Sequence, residues 1–91
     1  MTLEARVLQW INQIRTTQLK LRPLKRIKRG VPRHAANCPI ANSLPGARGM
    51  WFCSHAAFAA SDDGVYVIQP KFVSEFITAV DLGKYPHLEC K

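Results

Sequence analysis

Acidic residues are what this sequence is short of: six Asp and Glu stand against 13 Lys and Arg, for a formal net charge of +7 over 91 residues. The imbalance turns its expected partners acidic, toward nucleic acid, an anionic membrane surface or an acidic protein. Long apolar runs are missing as well. No stretch approaches the roughly 18 to 20 apolar residues that span a bilayer. The opening residues, with Thr2 and Glu4 in an amphipathic pattern, lack the compact apolar core of a signal peptide. Cysteine is sparse and odd in number, three in all, so free thiols in a reducing compartment are expected rather than a disulfide framework. These absences together predict a cytoplasmic protein. There is no internal repeat, no low-complexity tract and no motif that names a reaction. A non-enzymatic protein without a cofactor is therefore expected.

What is present is an ordinary apolar fraction, 47%, enough for a folded domain and too high for a wholly disordered chain. The length suits one folding unit with a modest core, since a chain this short buries only about 60% of its unfolded surface. The charge is concentrated at one end. Residues 1–34 carry nine cations against Glu4, a net +8, whereas residues 35–91 carry four cations against five carboxylates. Seven of the cations, Lys20, Arg22, Lys25, Arg26, Lys28, Arg29 and Arg33, fall within fourteen residues.

The pattern divides the chain into an N-terminal helical segment (1–22), a basic connector (23–34) and a small α+β core (35–91). Leu3, Val7, Trp10 and Ile14 recur at spacings of four, three and four, which places them on one stripe of a helix over residues 2 to about 20. Ile11 widens one edge of that stripe, and Gln9, Asn12, Gln13, Arg15 and Thr16 are expected on the solvated side. Thr2 suits the N-cap, and Glu4 suits the positive end of the helix dipole. The stripe is expected to dock on the rest of the chain or on a second copy, as a possible homodimer. Pro23 ends or kinks the segment, and the run to His34 reads mainly as a basic connector, part of it a short extended strand anchored by Leu24 and Ile27, broken at Gly30 and Pro32. Asn37 before Cys38-Pro39 reads as the cap of a short helix through Leu44, stopped by Pro45-Gly46. Residues 50–60 and the β-branched run Val65–Ile68, joined by Ser61-Asp62-Asp63-Gly64, read as a β-hairpin. Phe72, Val73, Phe76, Ile77 and Val80 give a last helix over about 70–82, with Gly83 just beyond its end. The remaining tail is too short for an element of its own.

The order Gly30-Val31-Pro32, Cys38-Pro39-Ile40-Ala41 with Leu44, the hairpin, then Phe76 and Asp81-Leu82-Gly83-Lys84-Tyr85-Pro86 resembles small proteins of unknown function from actinobacteria and their bacteriophages. The resemblance covers about residues 30–86 and leaves out the first helix and most of the basic connector. It implies no activity. It implies a phage-type origin, hence a host cytoplasm as the place of action, and by analogy a role on host DNA-bound or regulatory machinery.

Several constellations compete for a functional role. The seven-cation cluster can neutralise four or five phosphates and give non-specific binding on the order of micromolar with steep salt dependence. No helix-turn-helix, zinc finger or ribonucleoprotein motif accompanies it, so backbone contact is what it offers, not base readout. An acidic protein partner, or mere solubility with the interaction surface of a host-protein inhibitor lying elsewhere, are the alternatives. His34 with Cys38, Cys53 with His55 and His87 with Cys90 pair zinc's preferred ligands, with Cys53 and His55 expected on one strand face. Their spacings match no usual zinc site, and no metal is expected; Cys38 and Cys53 read as small packed apolar residues. Cys38 at a helix start invites a thiolate nucleophile, but no orienting acid accompanies it and Pro39 removes one N–H donor. Trp10, Trp51, Phe52 and Phe58 suit either a core or stacking platforms for single strands, and core is the expectation.

Overall fold

Thr2 begins the first helix, its hydroxyl accepting the Ala5 N–H at 3.1 Å and so satisfying one of the amides that a helix start leaves free. The computed structural model describes residues 1–45 and 51–89, with α1 at Leu3–Thr17. Its apolar stripe packs inward, but on a different axis from the one expected. Val7 and Ile11 are fully covered and Ile14 nearly so, whereas Leu3 and Trp10 are half-buried at the margin. Val7, Ile11 and Arg15 are spaced by four and share the buried face, so Arg15 is buried rather than solvated. The helix also ends earlier than about residue 20, and Lys20 takes a left-handed backbone with φ 55°.

Helix α2, Pro39–Ser43, is capped by Cys38 and not by Asn37: the Cys38 Sγ accepts the Ala41 N–H at 3.4 Å. Pro39 opens the helix, and Cys38 before it is extended, which makes Cys38 the residue half inside. Strands β1, Phe58–Ala60, and β2, Tyr66–Ile68, pair antiparallel with Ala59 opposite Val67. Ser61 closes the turn by donating its N–H to the Val65 carbonyl at 2.8 Å, and Gly64 supplies the positive φ of 88°. The first strand is much shorter than the expected 50–60. Phe52 instead turns into the core and the chain bends through Ser54 and His55, where Ala56 donates to the Cys53 carbonyl.

Helix α3, Lys71–Asp81, buries Val73, Phe76, Ile77 and Val80 and packs against α1, where the Arg6 guanidinium lies 4.4 Å over the Phe72 ring. Gly83 follows with φ 78°. The tail does form an element, a 3-10 turn at Pro86–Leu88 that buries Leu88. The result is an α+β fold in which every element contributes to one core, from Val7 to Leu88, with Ile27 of the connector inside it. Met50 of the expected strand, Gly46 after α2 and Cys90 of the tail pair lie outside the described residues. Among the described residues, no helix is long and apolar enough to cross a membrane.

Candidate nucleic-acid interface

Between α1 and α2 the backbone has no repeating hydrogen-bond ladder, so each amide needs its own partner. Most of the partners are side chains and carbonyls of the surrounding elements. The Asn12 amide grips Leu24 twice, donating to its carbonyl at 2.9 Å and accepting its N–H at 2.7 Å. Arg15 donates from Nε to the Arg22 carbonyl and from a terminal nitrogen to the Ser43 carbonyl, both at 2.8 Å. The Ser43 hydroxyl accepts the Lys28 N–H at 2.9 Å, and the Asn42 amide donates to the Arg29 carbonyl at 2.8 Å. Gly30 donates to Leu88, Val31 to Asn37 and Arg33 to the Asp81 carboxylate, each at 2.8 Å. With Ile27 at 2% exposure in the core, the connector is a loop fastened to α1, α2, α3 and the 3-10 turn. It is not a free arm.

Gly30 is essential to that fastening. A Cβ there would stand 2.3 Å from the Cys38 carbonyl carbon and from the Pro39 nitrogen, and 2.6 Å from the Asn37 oxygen. These are backbone atoms at the start of α2 and cannot swing aside. The glycine that reads as a chain breaker in the sequence is a site of close approach.

On this scaffold the seven predicted cations, Lys20, Arg22, Lys25, Arg26, Lys28, Arg29 and Arg33, are all exposed. None of their side chains forms an ion pair with a carboxylate among the described residues, although the Arg33 backbone N–H is bonded to Asp81; the ion pair present there joins His87 to Glu4 at 3.1 Å. Among the described residues, the two non-glycine residues with positive φ are both members of the set, Lys20 at 55° and Arg33 at 63°. Left-handed backbone costs an L-residue about 1 to 2 kcal/mol, and here it sets the direction of a cation at each end of the loop. The site is a loop that carries seven exposed cations on a backbone held by interior bonds, with Glu4 near Lys25 and Arg26 and Asp81 near Arg33, and side-chain N–H groups of this kind can bind anionic groups.

The other sequence candidates fall differently. Val7 and Ile14 are consumed by the chain's own core, with Leu3 and Trp10 packed against it. Cys38 is buried, and burial pushes its thiol above the ordinary 9.0; the Asp81 carboxylate adds to the rise, while the amides of Ala41 and Ile40 oppose it. The lowered thiolate that a helix start suggests is therefore reversed by desolvation. Cys53 is exposed, not packed, and no strand carries it with His55. His34, Cys38, Cys53, His55 and Asp81 line one small cleft, yet among the described residues no three such groups are placed to hold a metal ion. Of the aromatics Phe52 is core and Trp10 half-buried, meeting edge to face at 6.4 Å, but Trp51 and Phe58 are exposed. A wide groove of about 790 Å³ along α1, lined by Trp10, Gln9, Gln13 and Phe72 among others, includes none of the seven cations.

Sequence reasoning missed the residues that hold the loop: Asn12, Arg15, Gly30, Asn42 and Ser43. One signal was available, since Arg15 continues the four-residue spacing of Val7 and Ile11. A cation on an apolar stripe has to find carbonyls or carboxylates inside. Comparison with protein-family models, with curated proteins and with solved structures finds no match to this chain.

Proposed function

We propose that this chain is a non-enzymatic binding module that engages the phosphate backbone of nucleic acid through the fastened basic loop. The observation that carries the reading is the combination of seven exposed cations whose side chains form no ion pair among the described residues and a backbone held by interior hydrogen bonds. Mutually repelling charges on a free arm spread apart. Held on a fixed loop, they create a local field that attracts polyanions and releases their counterions on contact. The test is a salt titration of binding to generic duplex DNA. With four or five phosphates neutralised, log K should fall against log salt with a slope of about −4. Weak binding with no salt dependence would sink the reading.

A second reading, an inhibitor that occupies a protein surface, is favoured by the hairpin. Phe58, Tyr66 and Ile68 share its outer face at 54%, 54% and 68% exposure, with Phe58 and Tyr66 stacked at 5.4 Å. The bonds from Gln69 to Ala57 and from Ser61 to Val65 set the alternation, so the backbone groups of these residues turn to the sheet edges. Such an edge accepts an added strand. On this reading, replacing the loop cations leaves function intact, whereas Tyr66→Lys with Ile68→Lys abolishes it.

A further inference from the structure

The basic loop ends beside an exposed tryptophan. Trp51 is 67% exposed and, with Arg33, His34, Ala35 and Ala36, lines an open hollow of about 260 Å³. We propose that this hollow is a stacking site for one unpaired base of single-stranded nucleic acid, with Arg33 on the adjoining phosphate. The inference rests on the phosphate-binding reading of the loop and deepens it by naming the strand form.

Trp51 is not exposed for want of a place in the core. Its neighbour Phe52 fills that place at 1% exposure and donates its N–H to the Ala35 carbonyl at 3.2 Å. One residue further on, the Gln69 amide donates to the Cys53 carbonyl at 2.7 Å. The indole is thus presented from a fastened backbone, and a rigid ring held in place loses little freedom when a base stacks on it. The rest of the lining is fixed too. Arg33 adopts φ 63° and donates its N–H to Asp81 at 2.8 Å, and the His34 carbonyl accepts the Asn37 N–H at 2.9 Å.

The size and chemistry of the hollow choose the ligand. Drug-sized ligands take pockets of about 300 Å³ and more, so this one suits a single planar heterocycle. Its lining offers an aromatic ring and a cation, the pairing used by proteins that bind single strands without sequence preference. In a duplex the faces of the bases are already stacked on one another, and only their edges are open. Arg33 is the last of the seven cations, so a backbone lying along the loop brings its next nucleotide to Trp51.

The test compares a labelled oligo-dT of about 12 nucleotides, within the usual site sizes of single-strand binders, with a duplex of the same length. Fluorescence anisotropy is read on the full chain. Trp51→Ala should weaken single-strand binding about tenfold and Trp51→Phe much less, with duplex binding unchanged by either. Indole emission should fall on adding oligo-dT to the parent protein and fall less in Trp51→Phe. A thermal melt that matches the parent's shows that an exposed side chain was removed and the fold kept. Equal losses for both nucleic acids, or none for either, overturn the stacking site. If Trp51→Ala changes neither affinity while Lys25, Arg26, Lys28 and Arg29→Gln weakens both, the loop reading survives alone. If neither nucleic acid binds the parent protein, both readings fall.

Discussion

The basic loop and the β-hairpin part company over what holds a segment in place. The hairpin is regular, with three residues per strand and matched pairs, yet only Ala59 and Val67 face the core while Phe58, Tyr66 and Ile68 stand in solvent. The loop is irregular and crowded with charge, yet Asn12, Arg15, Asn42, Ser43 and Asp81 each fix a point of its backbone. Two-stranded hairpins are marginal by themselves because each strand has only one neighbour. A loop whose amides find interior partners has as many neighbours as it has bonds. Order here follows where the backbone groups go, not whether they repeat.

The comparison breaks most sharply at Gly30. Gly30→Ala places a methyl group against the backbone of α2 and should cost about 3 kcal/mol or more, measured by urea denaturation. Arg15→Ala comes next. It removes two charge-assisted bonds and leaves the Arg22 and Ser43 carbonyls unpaired inside, a loss of about 2 to 3 kcal/mol. Arg15→Lys should recover only part of it, since one ammonium does not match the guanidinium's planar fork.

Cys38 sharpens the comparison through pH. Its thiol stays protonated in the folded chain above pH 9.0, where the unfolded chain has begun to release the proton. The native state then binds more protons, so this contribution is complete below pH 9.0 and is lost as pH rises through the raised folded value. The melting temperature of the parent should therefore fall more steeply than that of Cys38→Ala on the alkaline side. Parallel curves would mean that the thiol is not held away from water.

The smallest effects belong to the exposed groups of both regions. Gln at Lys25, Arg26, Lys28 and Arg29, or Thr at Tyr66, should each move stability by no more than about 0.5 kcal/mol per site. The four-residue change should nevertheless flatten the salt slope of DNA binding by about 3. Unfolding of that variant would make these cations structural.

Much of the architecture was legible because it rests on periodicity. The spacing of Phe72, Val73, Phe76, Ile77 and Val80 and the cap at Thr2 mark two helices, and Ser61–Gly64 marks the turn of the hairpin. The positions of the seven cations were legible as well. What held them was not, because a bond such as Asn12 to Leu24 or Arg33 to Asp81 joins residues that no local pattern links. A charge run reads as a solvated arm when its own residues are the only ones considered. The Gly30 contact depends on how the start of α2 approaches the loop, which is a tertiary fact. Phe52 and Trp51 are adjacent aromatics, and only the bend of the chain decides that the first is core and the second is surface.

Whether the basic loop is fixed decides everything built on it, and residue-resolved amide hydrogen exchange on the native chain tests this directly. Leu24, Lys28, Gly30, Val31 and Arg33 donate their N–H groups to Asn12, Ser43, Leu88, Asn37 and Asp81. These five amides should exchange far more slowly than unstructured chain, and Asn12→Ala should release Leu24 first. Exchange at unstructured rates across the whole of residues 20–33, with α1 and α3 still protected, would contradict a fixed loop and make the segment a free arm.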